Sequence, residues 1–243
     1  MFFRIDIEKR LANHSRQFTL RSRITTHGER LALFGPSGSG KSLTLQALAG
    51  LLRPDRGHIA MGERVLFDSE QGLFVPPRQR KVGFVFQDYA LFPHLTVRQN
   101  AAFGLRRLFR RLTAVQSRRV DDVLEMFGLA ELASCLPGEI SGGQRQRVAL
   151  ARAVTPGPEL LLLDEPFSAL DQPLRVRMRR EMRRLLEMLG IPAVLVTHDP
   201  EDVQALADIV AVYKEGRVVH VVEAGNSGAN GPSAWLESFE AVQ

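Results

Sequence analysis

The stretch "GPSGSGKS", Gly35 to Ser42, combines residue types that suit one kind of chemistry, the holding of a phosphate chain. Gly35, Gly38 and Gly40, with Pro36, Ser37 and Ser39 between them, let backbone amides curl around an anion. Lys41 reaches the β- and γ-phosphates of a nucleotide, and Ser42 offers its hydroxyl to Mg²⁺. The stretch follows the apolar run "LALF" and opens a helix, whose N-terminus adds favourable partial charge. That context separates it from a glycine-rich turn that merely contains Lys-Ser, and nucleotide binding is the first conclusion.

A second stretch, "LLLLDE" from Leu160 to Glu165, reads as a buried strand delivering two carboxylates at its C-terminal end, where open α/β sheets bind ligands. Asp164 would hold Mg²⁺ through water, and Glu165 would polarise the attacking water of an in-line displacement. Gln87 after "VGFVF", His198 after "AVLVT" and Asp171 in "SALD" also sit where apolar runs end. Singly, each is an ordinary solvated or capping residue; at one sheet edge, His198 can donate to a γ-phosphate and Gln87 can reach the metal or the water. "ISGGQ", Ile140 to Gln144, poses a different question, because Gly142 and Gly143 open a helix at a cost of about 1 kcal/mol each relative to alanine. Such a pair suits a backbone that must come very close to something.

These residues need strands that end together. "LALF", "VGFVF", "LLLL", "AVLV" and "IVAVY" are continuous apolar runs without polar alternation, which suits parallel strands covered on both faces. Between them the spacing predicts helices over Lys41 to Leu52, stopping before Pro54, and over Arg175 to Leu189, ending at Gly190. From Tyr89 to Ile140 the chain reads as mainly helical, an insertion between sheet elements. The fold class expected is α/β with a mainly parallel core sheet and an inserted helical subdomain. "AGNSGANGPSA", Ala224 to Ala234, is small and turn-rich and reads as a flexible tail.

Bulk properties narrow the class. The length of 243 residues and 44% hydrophobic content suit an ordinary globular protein. A net charge of +5 is a weak sign of an anionic partner, since 32 basic residues face 27 acidic ones. The single Cys135 supports no internal disulfide or metal framework, which fits a reducing compartment. "MFFRIDIEKR" brings charge in too early for a secretory signal, and no apolar run is long enough to span a bilayer, so a cytoplasmic protein is expected.

The ordered set "GPSGSGKS", Gln87, "ISGGQ", "LLLLDEP", "SALD" and His198 resembles the ATP-binding cassette (ABC) ATPases over nearly the whole chain. "SGGQ" shortly before the acidic strand is not shared with other P-loop families. The resemblance implies a P-loop NTPase fold with an N-terminal antiparallel β region, a cassette over 1–223 with its helical subdomain at about 89–155, and a tail over 224–243. It implies a head-to-tail homodimer using ATP and Mg²⁺. Lys41, Ser42, Gln87, Asp164, Glu165 and His198 then serve one ATP, with Ser42, Gln87 and Asp164 at the metal. Ser141, Gly142, Gly143 and Gln144 serve the ATP held by the other protomer, and Asp171 links the two sites. All these positions match, so an active ATPase is expected. One departure concerns the adenine: the family places a stacking aromatic upstream of the P-loop, where "KRLANHSRQFTL" offers only His14 and Phe18, and Phe18 reads rather as a core strand residue.

Soluble ABC ATPases that act on nucleic acid generally carry two cassettes or a long coiled coil, and neither is seen. The arginines of "LRRLFRRL" and "RVRMRREMRRLL" read as solvated helix faces or a membrane-proximal surface, and no specific nucleic acid partner is expected. "RQRKVGFVFQDYALFPHLTVRQNAAFGL", Arg78 to Leu105, looks like the segment by which bacterial importer ATPases for anions, ferric iron, polyamines and sugars meet their permeases. Tyr89, Leu91, Phe92 and Leu95 could form the groove that receives a permease helix. From Val65 to Val97 the chain is most similar to molybdate importer ATPases, with sulfate importers a close second. The expected setting is the inner face of the cell membrane, with integral-membrane permease subunits and, indirectly, a periplasmic or extracellular substrate-binding protein. A C-terminal β-rich regulatory domain, frequent in such ATPases, is not expected here.

Overall fold

Period-two alternation at the start of the chain builds a long hairpin. In Phe3–Asn13 (β1) the side chains of Phe3, Ile5 and Ile7 are buried while Arg4 and Asp6 are exposed, and in Arg16–Thr26 (β2) Leu20, Ser22 and Ile24 alternate with exposed Arg21, Arg23 and Thr25. The two strands pair antiparallel from Phe3↔Thr26 to Asn13↔Arg16. The computed structural model describes residues 2–13, 16–105, 111–168 and 170–224. His14, the arginines at 106, 107 and 110, and all of the tail beyond Ala224 therefore lie outside the described residues.

Contacts divide the chain into two compact units, Met1–Arg80 with Met182–Gln243, and Lys81–Glu181. In the first, Arg56–Met61 (β4) joins the free edge of β1, and Arg64–Asp68 (β5) and Leu73–Phe74 (β6) extend the antiparallel region. Gly57 permits the β1–β4 approach: a Cβ there would stand 1.9 Å from the Asp6 carbonyl oxygen, and its φ is +111°. The parallel part has Arg30–Phe34 (β3) between Ala193–Thr197 (β9) and Ile209–Lys214 (β10), with Arg217–Glu223 (β11) antiparallel to β10. The strand order of this unit is β6-β5-β4-β1-β2-β11-β10-β3-β9, and a single parallel bridge, Arg217↔Arg21, joins its two halves. The apolar runs of β3 and β9 are buried, as strands covered on both faces must be.

Lys41–Ala49 (α1) follows β3, and among the described residues Pro77–Arg80 (α2) and Pro200–Leu206 (α7) complete the helices of this unit, apart from the end of α6 described below. α1 stops three residues before the expected Leu52. Gly50 takes the left-handed conformation at φ 78° and returns its N–H to the carbonyls of Ala47 and Gln46, so the cap ends the helix before Pro54 can. Arg80, fully buried, donates to the carbonyls of Ala47 and Leu48 in the last turn of α1 and to those of Val75 and Leu66, and lies over the Phe74 ring. Burial, with Arg64 adding to it, pushes its guanidinium down to about 10.

In the second unit Val82–Val85 (β7) and Leu160–Asp164 (β8) pair in parallel. Val97–Ala101 (α3), Ala114–Met126 (α4) and Gly142–Val154 (α5), with single 3-10 turns at Phe103–Leu105, Ala130–Leu132 and Pro137–Glu139, make the helical part. Among the described residues from 89 to 140 there is no strand, as the sequence pattern predicts. Gln172–Leu189 (α6) begins in this unit and ends in the other. It starts three residues before the expected Arg175, because Asp171 accepts a hydrogen bond from Leu174 N (2.9 Å) and Pro173 suits a first helical turn. The architecture is the expected mixed α/β one, with parallel strands, an N-terminal antiparallel region and inserted helices.

Candidate functional site

In the first unit the register Phe34↔Thr197 brings the exits of β3 and β9 side by side, so the glycine-rich loop and His198 leave the same sheet edge. The loop starts tightly, since a Cβ on Gly35 would lie 2.4 Å from the Tyr213 carbonyl oxygen. Lys41, only 4% exposed, turns its ammonium back on the loop and donates to the carbonyls of Gly35 (2.8 Å) and Pro36 (2.7 Å). Ser39 Oγ is buried without a hydrogen-bond partner. An orphaned hydroxyl costs about 1–3 kcal/mol, a deficit that a phosphate oxygen held by the loop would remove, so the loop fits the anion its sequence suggests. Ser42 is half-buried in the first turn of α1, while Pro36, Ser37 and Gly38 are exposed.

The His198 turn is pinned on both sides. Thr197 Oγ1 donates to Asp202 (2.6 Å) and accepts from Asp199 N (3.0 Å), and Asp199 caps α7 through Glu201 N (2.9 Å). His198 itself is exposed. Phe18 is not the core residue expected: it is half-buried, and the tip of its ring is 3.3 Å from where a Gly40 Cβ would stand. It therefore flanks the phosphate loop, while His14 is outside the described residues.

In the second unit the register Val85↔Leu163 does the same for Gln87 and the Asp164–Glu165 pair. Phe86, Gln87, Asp88, Asp164 and Ser168 line a cleft of about 470 Å³. Glu165 stands at φ +43°, in the left-handed region that costs a side chain of this kind about 1–2 kcal/mol. Ser168 holds it there, donating from both N (3.2 Å) and Oγ (3.0 Å) to the Glu165 carbonyl. The turn after Gln87 is similarly bent, with Tyr89 at φ +63° and Ala90 at φ +42°.

Two residues hold this bend, one missed by sequence reasoning and one given a different part by it. Arg152 on α5 donates to the carbonyls of Tyr89 (2.7 Å) and Ala90 (2.6 Å), and burial lowers its pKa. In the sequence it is one more arginine in a helix, with nothing local to distinguish it. Tyr89 is the other, and here the structure corrects an expectation: the residue is buried, not part of an outward groove. Its hydroxyl donates to the Pro166 carbonyl (3.4 Å), tying the Gln87 turn to the segment after Glu165, and burial raises its pKa. Leu91, Phe92 and Leu95 are half-buried, with Phe92 stacked on exposed Phe103 at 4.2 Å.

Ser141 and Gln144 form a capping box on α5: Ser141 N donates to Gln144 Oε1 (2.8 Å) and Gln144 N to Ser141 Oγ (3.3 Å). The amides of Gly142 and Gly143 stand in the first turn, where a helix has no internal acceptor for them. A Cβ would meet nothing closer than 3.8 Å at Gly142 and 3.5 Å at Gly143. Packing against the described residues thus does not demand glycine at either position. Asp171, exposed, serves as the cap of α6.

Residues 22–168 match the family described as ABC transporter. The trehalose/maltose import ATP-binding protein MalK of Thermococcus litoralis is 47% identical over 190 residues, which are 78% of this chain and 50% of that protein. The sulfate/thiosulfate import ATP-binding protein CysA of Caulobacter vibrioides is 47% identical over 197 residues, 80% of this chain and 56% of its own. The spermidine/putrescine import ATP-binding protein PotA of Oleidesulfovibrio alaskensis is 47% identical over 195 residues, 80% and 50%. The chain spans about half the length of the curated relatives it matches. Among solved structures, the dimeric ATP-binding cassette MJ0796, in a post-hydrolysis state bound to ADP and Pi, aligns with a TM-score of 0.74 at 27% identity, covering 92% of this chain and 98% of that one.

Proposed function

The chain belongs to the ABC transporter family, and from that membership we propose that it is the ATP-hydrolysing subunit of an importer, working as a homodimer against integral-membrane permease subunits on the cytoplasmic face of the membrane. The observation that carries this reading is the pair of registers Phe34↔Thr197 and Val85↔Leu163, which deliver the phosphate loop, His198, Gln87, Asp164 and Glu165 to the C-terminal ends of their strands. The cassette is taken as 1–223, with a helical subdomain at about 89–155.

The work of each residue follows from its chemistry. Gly35, Pro36, Ser37, Gly38, Ser39 and Gly40 wrap the phosphates, and Lys41 exchanges its two carbonyl partners for phosphate oxygens. Ser42, Asp164 and Gln87 are hard oxygen donors of the kind Mg²⁺ prefers; when bound, that ion neutralises phosphate charge. Glu165, held at its strained turn, orients the attacking water and accepts its proton, and His198 donates to the γ-phosphate. Ser141, Gly142, Gly143 and Gln144 present a helix N-terminus to the ATP of the other protomer. The room around both glycines within this chain supports that reading, since the close approach they permit is then to something outside it. Asp171, besides capping α6, links the two nucleotide sites.

For the cargo, we infer an oxyanion. The segment from Val65 to Val97 favours molybdate by resemblance, whereas the relatives reported above carry sulfate/thiosulfate, trehalose/maltose and spermidine/putrescine in their names, which supports import and, among oxyanions, sulfate or thiosulfate. The test compares the intact protein with Lys41→Ala. Purified protein should release phosphate from Mg-ATP and the variant should not; equal rates would refute the ATPase reading. In the native host, loss of labelled molybdate uptake in the variant would establish molybdate, and loss of sulfate uptake alone would replace it.

A further inference from the structure

Beneath the phosphate loop runs a line of buried hydroxyls that none of the roles above uses. Ser22 on β2 (1% exposed), Tyr213 on β10 (0%) and Thr44 on α1 (0%) come from three distant parts of the chain. Tyr213 Oη donates to Thr44 Oγ1 at 3.0 Å and lies 2.6 Å from Ser22 Oγ. A phenol has one proton, so with that proton on Thr44 the Ser22 hydroxyl must be the donor to Tyr213. Thr44 Oγ1 in turn donates to the Gly40 carbonyl at 3.4 Å, where Thr44 N also arrives at 3.1 Å. The donors therefore point one way, from Ser22 through Tyr213 and Thr44 to the residue immediately before Lys41.

The same strand and its turn touch the loop at three more points. The Tyr213 carbonyl fills the space a Gly35 side chain would need, Gly216 N donates to the Ser39 carbonyl at 3.1 Å, and the Gly216 Cα stands 3.6 Å from where a Gly40 Cβ would be. The loop is thus braced at its first residue, and at its last two, by the β10–β11 hairpin. Burial pushes the Tyr213 hydroxyl up to about 12, so it keeps its proton, and the line its direction, throughout the ordinary pH range.

We propose that Tyr213 is a positioning residue for the phosphate loop: with Ser22 behind it and Thr44 before it, it locks the Gly40 carbonyl and the first turn of α1 in the conformation that receives the nucleotide phosphates. The inference rests on the ATP reading given above. It differs from a purely structural role in one measurable respect, because it predicts a change in nucleotide affinity of a fully folded protein.

The experiment measures the Kd for Mg-ATP by calorimetry at about 25 °C, well below each protein's thermal midpoint, for the full chain and for Tyr213→Phe, Thr44→Val and the double variant. Tyr213→Phe keeps the ring and removes the hydroxyl. Each single variant should raise Kd about five- to twentyfold, the range expected from one or two lost hydrogen bonds. The double variant should be no weaker than the weaker single, since both changes cut one line. Ser22→Ala, at the far end, should show a smaller rise and serves as the probe should Tyr213→Phe fail to fold. Folded variants that bind Mg-ATP as the intact chain does would overturn the positioning role while leaving the ATPase reading in place. An intact chain that binds no Mg-ATP would overturn that reading and the inference with it.

Discussion

Among the described residues, Glu165 is one of the few non-glycine positions at positive φ, and it carries the carboxylate at the end of β8. A carboxylate-bearing residue in the left-handed region, with its carbonyl held twice by Ser168, aims its side chain at the cost of local strain. Its neighbour Asp164 ends β8 in ordinary strand geometry. On the proposed reading, the two would divide metal holding and water activation by conformation as well as by position. Glu165→Gln keeps size and hydrogen bonding but removes the base. ATP hydrolysis should fall by roughly 10²–10⁴-fold while Mg-ATP binding stays within about twofold, read by phosphate release and equilibrium titration. A variant that turns over at near the intact rate would remove Glu165 from its role.

At the scale of elements, the antiparallel region depends on close approach between β1 and β4. Gly57→Ala would place a Cβ 1.9 Å from the Asp6 carbonyl oxygen at a φ of +111°, so either the register or the backbone must shift. A loss of about 3 kcal/mol or more is expected in urea unfolding, well beyond an ordinary surface change. The end of the same ladder carries a pH-sensitive tie. Asp55 accepts from Arg10 N (2.8 Å) and from Lys9 Nζ (2.7 Å), and these bonds, the first above all, hold its pKa below the usual 3.8. A depressed carboxylate contributes its stability above the unfolded value and loses it as pH falls through the folded one. The thermal-midpoint gap between the intact chain and Asp55→Asn should thus be full at about pH 6 and close below about pH 3.8, with a ceiling near 1 kcal/mol because Asp55 lies at the surface, open to solvent screening.

For the whole molecule, the prediction is assembly. A cassette that shares ATP between two protomers should dimerise when ATP binds and is not consumed. Glu165→Gln in Mg-ATP should double the mass seen by light scattering, and Gly143→Asp, placing a charged side chain at the start of α5, should prevent it. Dimer formation that ignores ATP would argue against nucleotides at the interface. The net charge of +5 is only a weak sign of an anionic partner, and salt-sensitive binding to random DNA, which the nucleic-acid reading of the family would require, is not expected.

What the sequence by itself determined was local: the phosphate loop between a strand and a helix, the acidic pair ending a buried strand, and the glycines opening α5. Neighbouring residues and short periodicities decide such features, so they can be read without knowing what packs against them, and the strands β3, β7, β8, β9 and β10 emerged the same way. The end of α6 was read correctly, but the end of α1 and the start of α6 were not, because Gly50 and Asp171 act through cap geometry that apolar spacing does not register. Only the tertiary structure decided that Tyr89 faces inward, that Arg152 grips the turn after Gln87, and that Arg80 closes α1. Ser22 and Tyr213 are 191 positions apart and Tyr213 and Thr44 are 169, so nothing in either neighbourhood distinguishes a tyrosine at the end of "IVAVY" from a plain core residue. Its partner is chosen by which strands and helices come together, and that choice belongs to the packing of the whole chain.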